Sequence, residues 1–267
     1  MLWTKMEDLK SKYNPEGSLL RKTQLRMLDI LVEVDKILRR HNIDYWLDGG
    51  TILGAVRHGG FIPWDDDIDI SIRMEDYSRV RRILMKELPQ NLTFQDRFTD
   101  WNMPLVFGKV RDKHSYYYEA EWTDKLKDRG IFIDIIPMEE VVPLKIKNRL
   151  DFLYRHCLWG LHNYTDRMWE KILSYVAYVP VTLLIWICRL WVKVFPTHKW
   201  EDTYGWIVSH QFDEKDIFPV KDVNFEGKTF LGPANADAFL SVAYGNYMQI
   251  PPEEKRAIHA TKIEFYD

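Results

Sequence analysis

The stretch Leu47-Asp48-Gly49-Gly50-Thr51-Ile52-Leu53-Gly54-Ala55-Val56-Arg57-His58-Gly59-Gly60-Phe61-Ile62-Pro63-Trp64-Asp65-Asp66-Asp67-Ile68-Asp69-Ile70 holds two glycine pairs and five aspartates within 24 residues. Its end alternates between acid and isoleucine. In a strand, residues two apart share a face, so Asp67 and Asp69 point one way while Ile68 and Ile70 point into a core. Two carboxylates side by side repel, and one takes up a proton unless a cation neutralises the pair. Hard oxygen ligands in this arrangement select Mg²⁺ or Mn²⁺, ions that in turn grip phosphates. The competing reading is a solvated acidic turn starting at Pro63-Trp64.

A third acid lies in Gly130-Ile131-Phe132-Ile133-Asp134-Ile135-Ile136-Pro137, an otherwise apolar run of the kind found in buried strands. Burying Asp134 is costly unless a metal or hydrogen-bond donors satisfy it, which makes it a third metal ligand or an acid held by backbone amides. Gly49-Gly50-Thr51 stands between an expected strand and a short helix. Free amides and a hydroxyl at such a helix start bind anions, although a tight turn with an ordinary cap uses the same residues. No Gly-Lys-Ser/Thr follows, so this is not a Walker loop. Arg57 is placed to clamp a phosphate, and His58 to make a structural turn contact.

Outward from this centre, Ser18 followed by Leu20, Leu25, Leu28, Leu31, Val34 and Leu38 predicts an amphipathic helix ending near His41. Strands are expected at Tyr45–Leu47, Ile68–Ile72, Leu92–Phe98, Val106–Arg111, Tyr116–Tyr118 and Ile131–Ile136, with helices at Thr51–Val56 and Glu75–Leu88. A hairpin over Val223–Leu231 turning at Gly227 precedes a helix at Ala236–Tyr244. The order predicts an α+β fold, a mixed sheet flanked by helices. Residues 1–142 and 212–267 form its core, and 143–211 form an added helical region. Within that region Ile172–Cys188 contains no charged residue but is interrupted by Pro180. It is shorter than the roughly 20 apolar residues of a spanning helix, so a buried helix or one lying on a membrane surface is expected ahead of a true span. Arg167, Lys171, Arg189, Lys193 and Lys199 flank it, and Tyr178, Trp186 and Trp191 suit a headgroup layer, so 172–195 is the candidate membrane contact.

Composition narrows the function classes. With 46% hydrophobic and 14% aromatic residues the chain is an ordered globular one. Lys+Arg 37 against Asp+Glu 40 provides no field for nucleic acid. Cys157 and Cys188 match no zinc spacing and fit a reducing compartment, and the polar Met1–Ser18 segment lacks a secretory apolar run, so a cytoplasmic location is expected.

Gly50-Thr51-x-Leu53-Gly54-x-x-Arg57-His58-Gly59-Gly60-Phe61-Ile62-Pro63-Trp64-Asp65-Asp66-Asp67-Ile68-Asp69 closely resembles the signature of LicD-type phosphocholine transferases, relatives of the fukutin-type phosphoribitol transferases. The likeness continues through Lys109-x-Arg111-Asp112, Phe132-Ile133-Asp134-Ile135-x-Pro137 and Tyr244-Gly245-x-Tyr247-Met248-x-x-Pro251-Pro252, and so covers most of the chain outside the helical region. The resemblance implies a nucleotidyltransferase-like fold in which Asp67, Asp69 and Asp134 bind divalent ions, Mg²⁺ or Mn²⁺ and two in number, with Gly50 and Thr51 at the phosphate-contacting turn. It also implies phosphocholine transfer from CDP-choline to a sugar hydroxyl of a lipid-linked bacterial surface glycan such as a teichoic acid precursor. CMP would be released at the inner face of the cell membrane.

Related members move phosphoribitol or other phospho-alditols. The zinc-site cysteines of the fukutin branch are missing here, so no zinc is expected. On that reading Lys109 and Arg111, two apart on a strand, would bind the diphosphate, and Trp101, Tyr116, Tyr118 and Trp122 are candidate walls for a quaternary ammonium. A metal-dependent sugar-nucleotide glycosyltransferase also uses an Asp-x-Asp and is the rival chemistry.

Overall fold

Helix α1 (Leu19–Arg40) begins where its cap is supplied: the Ser18 hydroxyl accepts the Arg21 N–H at 3.1 Å, and Arg39 and Arg40 complement the dipole at the other end. Its Met27, Leu31, Val34 and Leu38 stripe is fully buried. The computed structural model describes residues 9–162, 165–206, 210–256 and 260–266. The strands are β1 (Tyr45–Leu47), β2 (Asp69–Arg73), β3 (Leu92–Gln95), β4 (Gly108–Asp112), β5 (Ser115–Tyr118), β6 (Phe132–Glu140), β7 (Lys199–Asp202), β8 (Phe212–Asp213), β9 (Lys221–Phe225), β10 (Lys228–Gly232) and β11 (Lys262–Phe265). After α1 come helices α2 (Gly49–His58), α3 (Met74–Glu87), α4 (Leu144–Leu161), α5 (Met168–Val194), the single turn α6 (Glu214–Ile217) and α7 (Ala236–Tyr244).

Seven strands form one mixed sheet in the order β1-β2-β6-β4-β3, with β7 on the second half of β6 and β8 beyond it. The β2–β6 pair is parallel and the other pairs are antiparallel. Helices α1 and α3 cover one face. Ile70, Ile72, Val110, Ile133 and Ile135 belong to the core they enclose. By the two-residue period of the pleat, Asp69, Lys109, Asp134 and Ile136 emerge on the opposite face, where they line a cavity.

The expected elements form with shifted bounds; β6 runs past Ile136 to Glu140, and β8 and β11 are strands where none was expected. Strand β3 stops at Gln95 because the Asp96 carboxylate accepts the Phe98 and Thr99 amides and turns the chain. The helical region expected over 143–211 ends at Val194, after which β7 rejoins the sheet beside β6 and buries Trp200 edge-on to Phe218. The β9–β10 hairpin turns at Glu226-Gly227, both with positive φ (51° and 72°), as a two-residue turn of matching twist requires.

Candidate active site

Strand register assembles the site. Asp134 at the centre of β6 is paired with Asp69 of β2 on one side and with Lys109 of β4 on the other. Cross-strand neighbours on one face lie about 5 Å apart. The three therefore form a charged row across three adjacent strands, and Asp67, two residues before the start of β2, lines the same cavity. The carboxylate pair and the acid 65 residues later, separate in the chain, thus meet in space. The row is buttressed from behind, since the Asp134 amide donates to the Ile68 carbonyl at 2.8 Å and the Asp69 amide to the Thr51 hydroxyl at 2.8 Å.

Helix α2 points its N-terminus at these acids. Asp48 caps it, accepting the Gly49 amide at 2.7 Å while the Ser71 hydroxyl donates to its other oxygen. A Cβ on Gly49 would fall 2.6 Å from Asp69 Oδ2, and one on Gly50 2.5 Å from Asp65 Oδ2. The glycine pair is needed so that carboxylates can approach this helix end, where amide dipoles favour negative charge. Asp66, by contrast, turns inward and is fully buried, accepting the Tyr117 hydroxyl at 2.8 Å and the Ala260 amide at 2.8 Å.

The cavity encloses about 580 Å³. Among the described residues, seven carboxylates line it (Asp48, Asp65, Asp67, Asp69, Glu119, Asp134 and Asp202), against Lys109 and His210. Burial, and then the charges of Asp67, Asp134, Asp48 and Asp65, hold the Asp69 carboxyl well above the usual carboxylate range. Burial raises Asp134 to about 6, and Lys109 opposes that rise. Lys109 Nζ lies 2.8 Å from Asp134 Oδ1, 3.4 Å from Glu119 and 3.3 Å from the centre of the Phe132 ring. One ammonium does not balance this charge, and a hard divalent cation fits the oxygen-rich donor set. Among the described residues no three acidic, histidine or cysteine side chains close around one point.

Not every expected contact is present. Gly50, Asp67, Asp69, Lys109, Trp122 and Asp134 line the cavity, whereas Thr51, Arg57 and Arg111 do not. Thr51 spends its hydroxyl on the Asp69 amide. Buried Arg57 donates to the Tyr247 carbonyl at 2.7 Å and to His58 Nε2 at 3.0 Å, tying α2 to the C-terminal segment instead of clamping a phosphate. Arg111 is buried beneath the floor, donating to Gln95 and to the Gly130 carbonyl. Of the candidate aromatic walls only Trp122 borders the cavity; Tyr116 stacks on Tyr118 outside it, and Trp101 lies tilted against His162. The remaining walls are Trp64, Phe107, Phe132, Trp206, Phe212 and Tyr244, with Trp206 edge-on to Phe107 at 4.7 Å. Asp65 was legible as the next step of the Asp67–Asp69 alternation, and Tyr244 as part of the motif at 244–252. Glu119, Asp202 and Trp206 carried no local signal.

Aspartates on adjacent strands, a glycine-led helix start and an acidic cavity form an arrangement suited to a cation and a phosphate group. Residues 42–158 match the family described as LicD/FKTN/FKRP, nucleotidyltransferase domain. It is 29% identical over 261 residues to the lipopolysaccharide cholinephosphotransferase LicD of Haemophilus influenzae, covering 90% of this chain and 95% of that protein. Shorter matches reach the human ribitol 5-phosphate transferase FKRP (45% over 47 residues, 18% of this chain and 10% of that one) and the human ribitol-5-phosphate transferase FKTN (30% over 113 residues, 42% and 21%).

Proposed function

We propose that the chain transfers phosphocholine from CDP-choline to a sugar hydroxyl of a lipid-linked bacterial surface-glycan precursor of the teichoic acid type, with CMP as leaving group. The proposed setting is the cytoplasmic face of the cell membrane. The observation that carries this reading is the combination, in one cavity, of seven carboxylates with a wall of aromatic rings. Quaternary ammonium has no N–H to donate, so ring faces and a negative field are what can hold it, and Trp122, Trp206 and Phe107 supply the rings. The diphosphate of the same donor has the opposite need.

In this reading Asp67, Asp69 and Asp134 hold Mg²⁺ or Mn²⁺, two ions, which when bound neutralise the diphosphate and stabilise charge on the attacking and leaving oxygens. The acceptor oxygen bonds to the choline-bearing phosphorus as the bond from that phosphorus to the CMP oxygen breaks. The Asp134 carboxylate takes the acceptor's proton. Lys109 fixes the orientation of that carboxylate through their 2.8 Å contact. Gly49 and Gly50 keep the helix start open to the acids.

The short matches to ribitol-phosphate transferases favour a second donor, CDP-ribitol. A ribitol site would offer polar groups to hydroxyls where this cavity offers rings. Purified enzyme offered CDP-choline, CDP-ribitol and nucleotide sugars with a glycan acceptor is expected to release CMP from CDP-choline. CMP from CDP-ribitol alone would select the alternative donor. A nucleoside diphosphate released from a nucleotide sugar would mark glycosyl transfer and overturn the reading.

A further inference from the structure

Helix α5 is 27 residues long, about 40 Å at the α-helical rise, yet Ser174, Val181, Ile185 and Val192 are its only buried residues. They form a seam along one side. The rest of the surface between Ile172 and Trp191 is uncharged apart from Arg189, and Leu173, Val176, Val179, Leu183, Trp186 and Trp191 are each about half exposed or more. A protein partner packing on one side would cover a stripe of such a helix and leave the remainder in water. Lipid solvates the whole exposed arc.

Charge agrees with lipid. Residues 143–199 contain nine lysines and arginines against three acids, in a chain whose totals are 37 against 40. Lys147 and Arg189 are consumed by internal ion pairs, with Asp151 at 2.7 Å and Glu139 at 2.6 Å, and the surplus stays basic. The helix is also pinned along its length. Near its start a Cβ on Gly160 of α4 would fall 2.0 Å from Ser174 Oγ, and near its end Arg189 grips both oxygens of Glu139 on β6. Helix α4, packed against it, exposes Lys145, Arg149 and His156, which excludes burying the pair across a hydrocarbon layer.

We propose that the exposed arc of α5 docks on a bilayer containing anionic lipid, its axis in the membrane plane and its basic residues among the headgroups. The docking face is one layer from the cavity. In the segment Leu105-Val106-Phe107 the outer two residues line the cavity while Val106 packs against the α4–α5 cluster, and Asp202 and Trp206 likewise flank Tyr204 of that cluster. Resting on the reading above, such docking brings a membrane-held acceptor beside the cavity wall.

Flotation of the full chain with phosphatidylcholine vesicles, with and without phosphatidylglycerol, tests this independently of chemistry. The parent is expected to float with anionic vesicles. Trp186→Glu combined with Trp191→Glu abolishes flotation while keeping the parent's circular dichroism and its turnover of a water-soluble acceptor. Lys171→Glu with Lys193→Glu lowers partition about thirtyfold, at about 1 kcal/mol per basic residue near the surface. Failure of the parent to float, flotation unchanged in the tryptophan variant, or a solution dimer dissolved by that variant in place of flotation would each overturn the inference. Flotation without CMP release would leave it standing and sink the proposed chemistry instead.

Discussion

The cavity floor and helix α5 break the ordinary burial rule in opposite directions. Asp134 and Lys109, with the half-buried Asp69 beside them, are charges taken out of water, and Trp186, Leu183 and Val176 are apolar side chains left in it. Neither arrangement helps an isolated fold, since buried like charges repel and exposed apolar area gains nothing from folding. Each becomes favourable when something outside the chain arrives, a cation in one case and lipid in the other. The two regions teach that departures from the rule point to what the protein binds.

The largest effect that could break this comparison is on turnover. Asp69→Asn is expected to lower the transfer rate about a thousandfold, about 4 kcal/mol of transition-state stabilisation. In EDTA the same variant should melt no lower than the parent, because it removes repulsion. A variant retaining most of its activity, or one that unfolds, contradicts the assignment. Chelation should silence the parent, and Mg²⁺ or Mn²⁺ should restore it.

Next in size is the ammonium. Lys109→Met leaves Asp134 buried without its partner and should cost about 3 kcal/mol in urea unfolding measured in EDTA. Adding Asp134→Asn should recover part of that loss. If the double variant is less stable than the single one, the pair does not act as described. A smaller change is expected at the wall, where Trp122→Leu should raise KM for CDP-choline about tenfold, the loss of roughly 1 to 2 kcal/mol of cation–π attraction, with kcat little altered. Equal loss with CDP-ribitol would remove the ring from ammonium recognition.

A pH dependence tests a buried group outside the cavity. Burial and then the Arg57 charge hold the His58 imidazole down to about 4 from its ordinary 6.5. Between these values the unfolded chain binds a proton that the folded chain refuses, so stability falls as pH drops through that window and is unaffected above it. His58→Gln should flatten the pH dependence of the urea midpoint between pH 4 and 6.5. An unchanged slope would mean the imidazole is protonated in place.

The parts legible in the sequence were those written in local period. The Asp67–Asp69 alternation, the isolated Asp134 in an apolar run, the Ser18 cap and the helix at Ala236–Tyr244 all needed only neighbours to read. Arg57, Thr51 and Arg111 lie outside the cavity lining; a polar side chain beside a motif looks available until its internal partner is known. Those acceptors, the Tyr247 carbonyl for Arg57 and Gln95 for Arg111, are remote or on another strand. Glu119, Asp202 and Trp206 enter the cavity through long-range register alone. Strand β7 was hidden behind a helical composition that ends at Val194.

The central claim is that the acid row holds a divalent cation against the donor's diphosphate. Titration calorimetry of CDP-choline into the full chain tests it most directly, with Mg²⁺ and with EDTA, for the parent and for Asp134→Asn. Binding by the parent that requires Mg²⁺ and is lost in the variant is the expected result. Equal affinity in EDTA, or an unchanged affinity in Asp134→Asn, would contradict it.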